Sequence, residues 1–95
     1  MNMNQITEEK LEKYFKITEK ALAKAKKSKE NINIKNARKE FIDMVENYLK
    51  DAHYFEKKGR VSDAFAALNY AHGWLDAGAR LGIFDVHDSE LFAQD

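Results

Sequence analysis

The chain has no cysteine and no proline, and its 95 residues include only four glycines. The missing cysteine excludes disulfides, thiol catalysis and zinc–thiolate sites. It also suits a reducing cytoplasm. The scarcity of proline and glycine removes most of the punctuation that a β-rich domain needs at its turns. No apolar run approaches the roughly 18 residues of a membrane helix, so no membrane span is expected. The first nine residues, Met1 to Glu9, are polar and lack an apolar signal core. Glycine-rich phosphate loops and nucleophile elbows are missing as well.

What remains is helical material. Charged residues make up 34% of the chain, against an average of roughly 25%. That suits helices with one solvated face. A chain of this length supports one domain and one modest core. We therefore expect a single all-α domain over 1–95, a three-helix bundle with a short C-terminal tail. Helix one is placed at about 7–28, helix two at 34–58, helix three at 62–81 and the tail at 83–95.

Each helix carries its own signals. Thr7 is a candidate cap for helix one, with Glu8 and Glu9 in the first turn where the helix dipole favours acids. Ile6 and Leu11 match a hydrophobic staple. Leu11, Tyr14, Phe15, Thr18, Leu22 and Ala25 then recur at helical spacing. Residues 28–36 read as a loop, with Ile32 or Ile34 pinned to the core and Asn33 or Asn36 capping helix two. Phe41, Met44, Val45, Tyr48, Ala52 and Phe55 form an inner stripe on helix two, flanked by Ile42 and Leu49. Gly59 is a natural C-cap. Ser62 is the expected cap of helix three. Helices two and three then form an antiparallel hairpin.

Helix three is the unusual element. Ala64, Leu68, Ala71, Leu75 and Gly78 make one apolar stripe, and Tyr70, Trp74, Ala77 and Leu81 make a second beside it. Only Asn69, Gly73, Asp76 and Arg80 form a polar strip, in which Asp76 and Arg80 have pairing distance. The apolar arc is about twice the ~100° of an ordinary surface helix. Either the tail, with Ile83, Phe84, Val86, Leu91 and Phe92, or another molecule must cover it.

The block NYAHGWLDAGARLG at 69–82, with Asp51, Ala52, Phe55 and Gly59 ahead of it, resembles the archaeal family known as domain of unknown function 357. The resemblance runs from about Leu11 to Phe84. It implies a short all-α bundle of archaeal, cytoplasmic origin and carries no activity, so no catalytic residue is transferred. Tyr48, Ala52, Phe55, Gly59, Ala64, Leu68 and Ala71 are also similar to one tetratricopeptide hairpin. The repeat occurs once, whereas a solenoid needs about three copies.

Formal charge is uneven: +4 over residues 1–35, +1 over 36–60 and −5 over 61–95. Either the basic helix lies beside the acidic tail, or the ends steer a charged partner. Lys20, Lys24, Lys26, Lys27, Lys29, Lys35, Arg38 and Lys39 are the residues available to nucleic-acid phosphates, but no aromatics interleave to stack bases. His72 and Asp76, or Asp85, His87, Asp88 and Glu90, have spacings found in metal sites, but nothing marks convergence of three ligands. Arg80 and His87 have the spacing of HEPN-type ribonucleases, but Gly82 interrupts the helix between them.

The expected function is accordingly a non-enzymatic interaction or assembly module, with a protein partner or a second copy. A nucleic-acid-binding accessory protein is the alternative. No catalytic residue, metal ligand or cofactor is assigned. The expected binding surface is Asn69, Tyr70, Gly73, Trp74, Asp76, Ala77, Arg80 and Leu81.

Overall fold

A computed structural model describes residues 6–29 and 34–93. It contains α1 (Glu8–Lys27), α2 (Ala37–Lys57) and α3 (Val61–Leu81), with no strand among the described residues. The all-α class and the bundle follow. α2 and α3 pack along their length, α1 lies mainly on α3, and α1 meets α2 only sparingly. The most apolar helix is thus the central one, because two neighbours must share it.

Local chemistry accounts for the ends. Thr7 caps α1 by accepting from the Lys10 amide at 3.0 Å, beside Glu8 and Glu9. α2 and α3 both end in a left-handed glycine, Gly59 (φ 74°) and Gly82 (φ 80°). At each, the following amide reaches back five residues: Arg60 to the Phe55 carbonyl at 2.9 Å and Ile83 to Gly78 at 2.8 Å. This is the Schellman closure, and it satisfies carbonyls that a helix end otherwise leaves bare.

Two expected caps are not made. Asn36 precedes α2, but its backbone is left-handed (φ 61°) and its side chain makes no capping bond. Asn33 lies outside the described residues. Ser62 does not cap α3, since the helix already begins at Val61 and Asp63 instead holds Arg60 at 2.7 Å. Ile34 is also not pinned to the core: it is largely exposed. Ile32 lies outside the described residues.

The core runs through all three helices. α1 contributes Leu11, Phe15, Thr18, Ala21 and Ala25, α2 contributes Val45, Leu49 and Ala52, and α3 contributes Ala64, Leu68, Ala71 and Leu75. The tail completes it, with Ile83, Phe84, Val86, Leu91 and Phe92 all buried. Each of these is worth about 1.5–3 kcal/mol of burial, so the tail is core rather than appendage. Phe84 tucks against Gly78, where an added Cβ would overlap its ring.

Arg38 knits the end of the bundle where three segments meet. Its guanidinium donates to the Ala25 and Lys26 carbonyls at the end of α1, at 2.9 and 2.6 Å, and lies 5.7 Å over the Phe84 ring. Farther along, the Asp85 amide donates to the Lys29 carbonyl, and Lys24 bonds Asp88 at 2.8 Å. The basic helix does lie beside the acidic tail. The Lys24 hydrogen bond, aided by the Glu90 amide, holds the Asp88 carboxyl below its ordinary pKa.

Candidate functional site

The tail covers one flank of α3 and leaves the other open. After Phe84 it runs back along the junction of α1 and α3, and the Ala93 amide donates to Asp76 Oδ1 at 2.8 Å. Asp76 also stands 3.5 Å from His72 Nε2, while His72 Nδ1 lies 3.2 Å from the hydroxyl of Thr18, which is only 1% exposed. Thr18, His72 and Asp76 thus form a polar chain from core to tail. His72 is a half-buried structural histidine. Among the described residues no three His, Asp or Glu are grouped to hold a metal.

A shallow hollow of about 400 Å³ remains on this flank between Tyr14, His72, Gly73 and the tail. A broader one of about 1160 Å³ lies between α1, the α2–α3 turn and the tail, with Leu11, Ile17, Val61 and Leu91 at its floor and charged side chains such as Glu12, Lys16 and Lys20 around them. Its charged rim carries both signs, and among the described residues no three His, Asp or Glu are grouped there to hold a metal.

The expected binding residues therefore divide. Asp76 faces the tail. Tyr70, Ala77, Arg80, Leu81, Asn69 and Gly73 remain exposed, and Trp74 is half-buried. Tyr70 is 64% exposed and Leu81 52%. The second apolar stripe is thus not what the tail covers. The reason is geometric. Gly82 turns the chain toward the end of the bundle where α1 finishes and α2 begins; Arg38 lies over Phe84, the Lys29 carbonyl takes the Asp85 amide, and the tail continues beside α1 rather than over Tyr70 and Leu81.

α2 organises the open stripe from beneath. Tyr70 stacks on Tyr48, with centroids 5.4 Å apart and planes 19° apart. Trp74 meets Phe41 edge-on at 4.9 Å. These pairs hold the aromatic rings in set positions, at about 0.5–1.5 kcal/mol each beyond burial. Tyr48 and Phe41 belong to this face, although sequence periodicity assigns them only to the inner stripe of α2. Aromatics at the edge of that stripe were the available signal.

Gly73 and Gly78 part company here. Gly78 is needed by Phe84 and Phe41, whereas a Cβ on Gly73 would meet nothing within 4 Å. A helical glycine costs about 1 kcal/mol relative to alanine, and among the described residues no contact that a Cβ would disturb explains that cost at Gly73.

Residues 13–84 match the family model described as Protein of unknown function (DUF357). The chain belongs to this family. The matched stretch contains the whole open face of α3 and ends at Phe84, so the DUF357 region takes in the Gly78–Phe84 contact but not the rest of the tail. No curated protein and no solved structure matches the chain.

The basic residues are partly committed to the fold. Lys24 pairs with Asp88, Lys26 with Glu46 at 2.9 Å and Lys39 with Asp43 at 2.8 Å. Arg38 is spent on the α1 carbonyls and Phe84. His87, beyond the Gly82 turn, is bonded to Asp85 at 2.8 Å. No helix of the described residues is long and apolar enough to cross a membrane.

Proposed function

We propose that this DUF357 chain is a non-enzymatic protein-interaction module, and that the open face of α3 is its contact surface. One observation carries the reading: Tyr70 and Leu81 stay exposed, and Trp74 is only half-buried, although the tail has ample apolar residues and covers the opposite flank. Protein contact surfaces are poor in charge at their centre and enriched in Tyr, Trp, Met and Arg. The outer face of α3 carries Ser62, Ala66, Asn69, Gly73 and Ala77 along its middle, with its charges, Asp63 and Arg80, toward the two ends. Half-buried Met44 lies on the adjoining side of α2. The lack of cysteine fits action in a reducing cytoplasm. An archaeal source belongs to the same proposal and rests on the family resemblance alone.

The test is site-specific photo-crosslinking in the cell of origin. A photoreactive residue replaces Tyr70, Leu81 or, as the control on α1, Lys16. Adducts at Tyr70 and Leu81 but not at Lys16 are expected. Equal labelling at all three sites, or none, removes the proposal.

The nucleic-acid alternative is weaker. Four of the eight basic residues it needs are engaged by carboxylates or carbonyls of the same chain. Retention of the protein by RNA at low salt, falling steeply as salt rises, would revive it.

A further inference from the structure

We infer that the partner on the open face of α3 is a second copy of this chain, its α3 antiparallel to the first across a two-fold axis. This rests on the interface reading above and specifies its occupant.

The argument starts from charge. Asp63 and Arg80 lie at opposite ends of α3, 17 residues or about 26 Å apart at the α-helical rise. A parallel copy would set Arg80 against Arg80. An antiparallel copy sets Arg80 of each chain against Asp63 of the other when the axis passes midway, between Ala71 and His72. Asp63 holds its own Arg60 through Oδ2, with its side chain 47% exposed, so Oδ1 is placed to accept from the second copy.

Shape is compatible with the register that charge sets. With that midpoint Tyr70 of one chain lies opposite Gly73 of the other, Ala66 opposite Ala77, and Asn69 opposite Trp74. The most exposed ring on the helix meets a helical glycine at which an added Cβ would touch nothing among the described residues. Ala66 and Ala77, both small, face each other on either side of the axis. A two-fold interface requires such reciprocity, because residue i must meet j while j meets i. The exposed face of α3 maps onto itself under this exchange. The Tyr70–Tyr48 stack presets the ring, which lowers the ordering cost of association.

The experiment is native mass by size exclusion with light scattering, on the full chain over a concentration series. The expected mass is twice that of the 11.0 kDa chain. Gly73→Glu should return it to a monomer while helix content remains native, since a Cβ at that position meets nothing among the described residues. Ala77→Glu, also exposed, repeats the test at a second position. Arg80→Asp should raise the dissociation constant on the order of tenfold, and adding Asp63→Arg should recover it. A monomeric wild type, a dimer indifferent to Gly73→Glu and Ala77→Glu, or no recovery in the double variant overturns the antiparallel pair. A monomer whose Tyr70 adduct contains a different protein overturns the second copy but leaves the interface reading intact. A monomer with no adduct removes both.

Discussion

The two flanks of α3 are built from similar residues and end in different environments. On one, the tail buries Val86, Leu91 and Phe92, and Asp76 is bonded to the Ala93 amide. On the other, Tyr70 and Leu81 face outward and Trp74 is only half covered. Hydrophobicity does not explain the choice. What decides it is where the chain leaves the helix and which polar groups wait there. The Gly82 turn delivers the backbone to the Lys29 carbonyl, Lys24 receives Asp88, and Asp76 receives the last described amide. Burial supplies the energy for docking the tail, and the exposed hydrogen bonds from Lys24 and to Asp76, each modest in strength, fix the flank along which it lies.

The contrast is sharpest when the covered side is broken. Phe84→Ala or Phe92→Ala removes a fully buried ring, and each should destabilise the fold by about 3–5 kcal/mol in urea unfolding. Trp74→Ala on the open side should cost clearly less stability while weakening association more. Equal losses at Phe84 and Trp74 would mean that the two flanks are energetically one.

The paired glycines come next. Gly78→Ala drives a methyl into Phe84 and toward Phe41. Overpacking of about 1–3 kcal/mol then outweighs the alanine helix preference. Gly73→Ala should do the opposite and stabilise the isolated chain by up to about 1 kcal/mol. Melting temperatures of the two variants should move in opposite directions. A shared direction would erase the distinction between a packed and an open glycine.

The smallest effect concerns the exposed latch of the covered flank. Asp88 is held below its ordinary pKa of 3.8 in the folded chain. Its contribution is present above that value and is lost as pH falls through the lowered one. Asp88→Asn should therefore change little near neutrality and slightly flatten the acid limb of a stability-versus-pH curve. A pronounced change at neutral pH would show that Lys24–Asp88 contributes more than a surface pair of this kind usually does.

Most of the fold was legible in the residues. The Thr7 cap, the glycines at 59 and 82 and the spacing of apolar residues all act within one or two turns, and they mark three helices. The capping of α2 and α3 was less legible, because Asn36 and Ser62 are good caps only when the backbone presents them, and here it does not. The surplus of apolar residues on α3 was legible, and the exposure of Tyr70 and Leu81 agrees with it. The membership of the open face was not. Asp76 and Gly73 share one polar strip in sequence, yet Asp76 belongs to the tail contact, while Tyr48 and Phe41 come to the open stripe from another helix.

The sequence by itself determined the helical class, the placing of most helix ends and the excess of apolar surface on α3, because periodicity and capping are local. Only the tertiary structure decided which flank the tail would take, which glycine would be packed and which aromatics would remain outside. Those outcomes depend on where a turn aims the chain and on contacts between residues as far apart as Lys24 and Asp88. No local pattern encodes such distances.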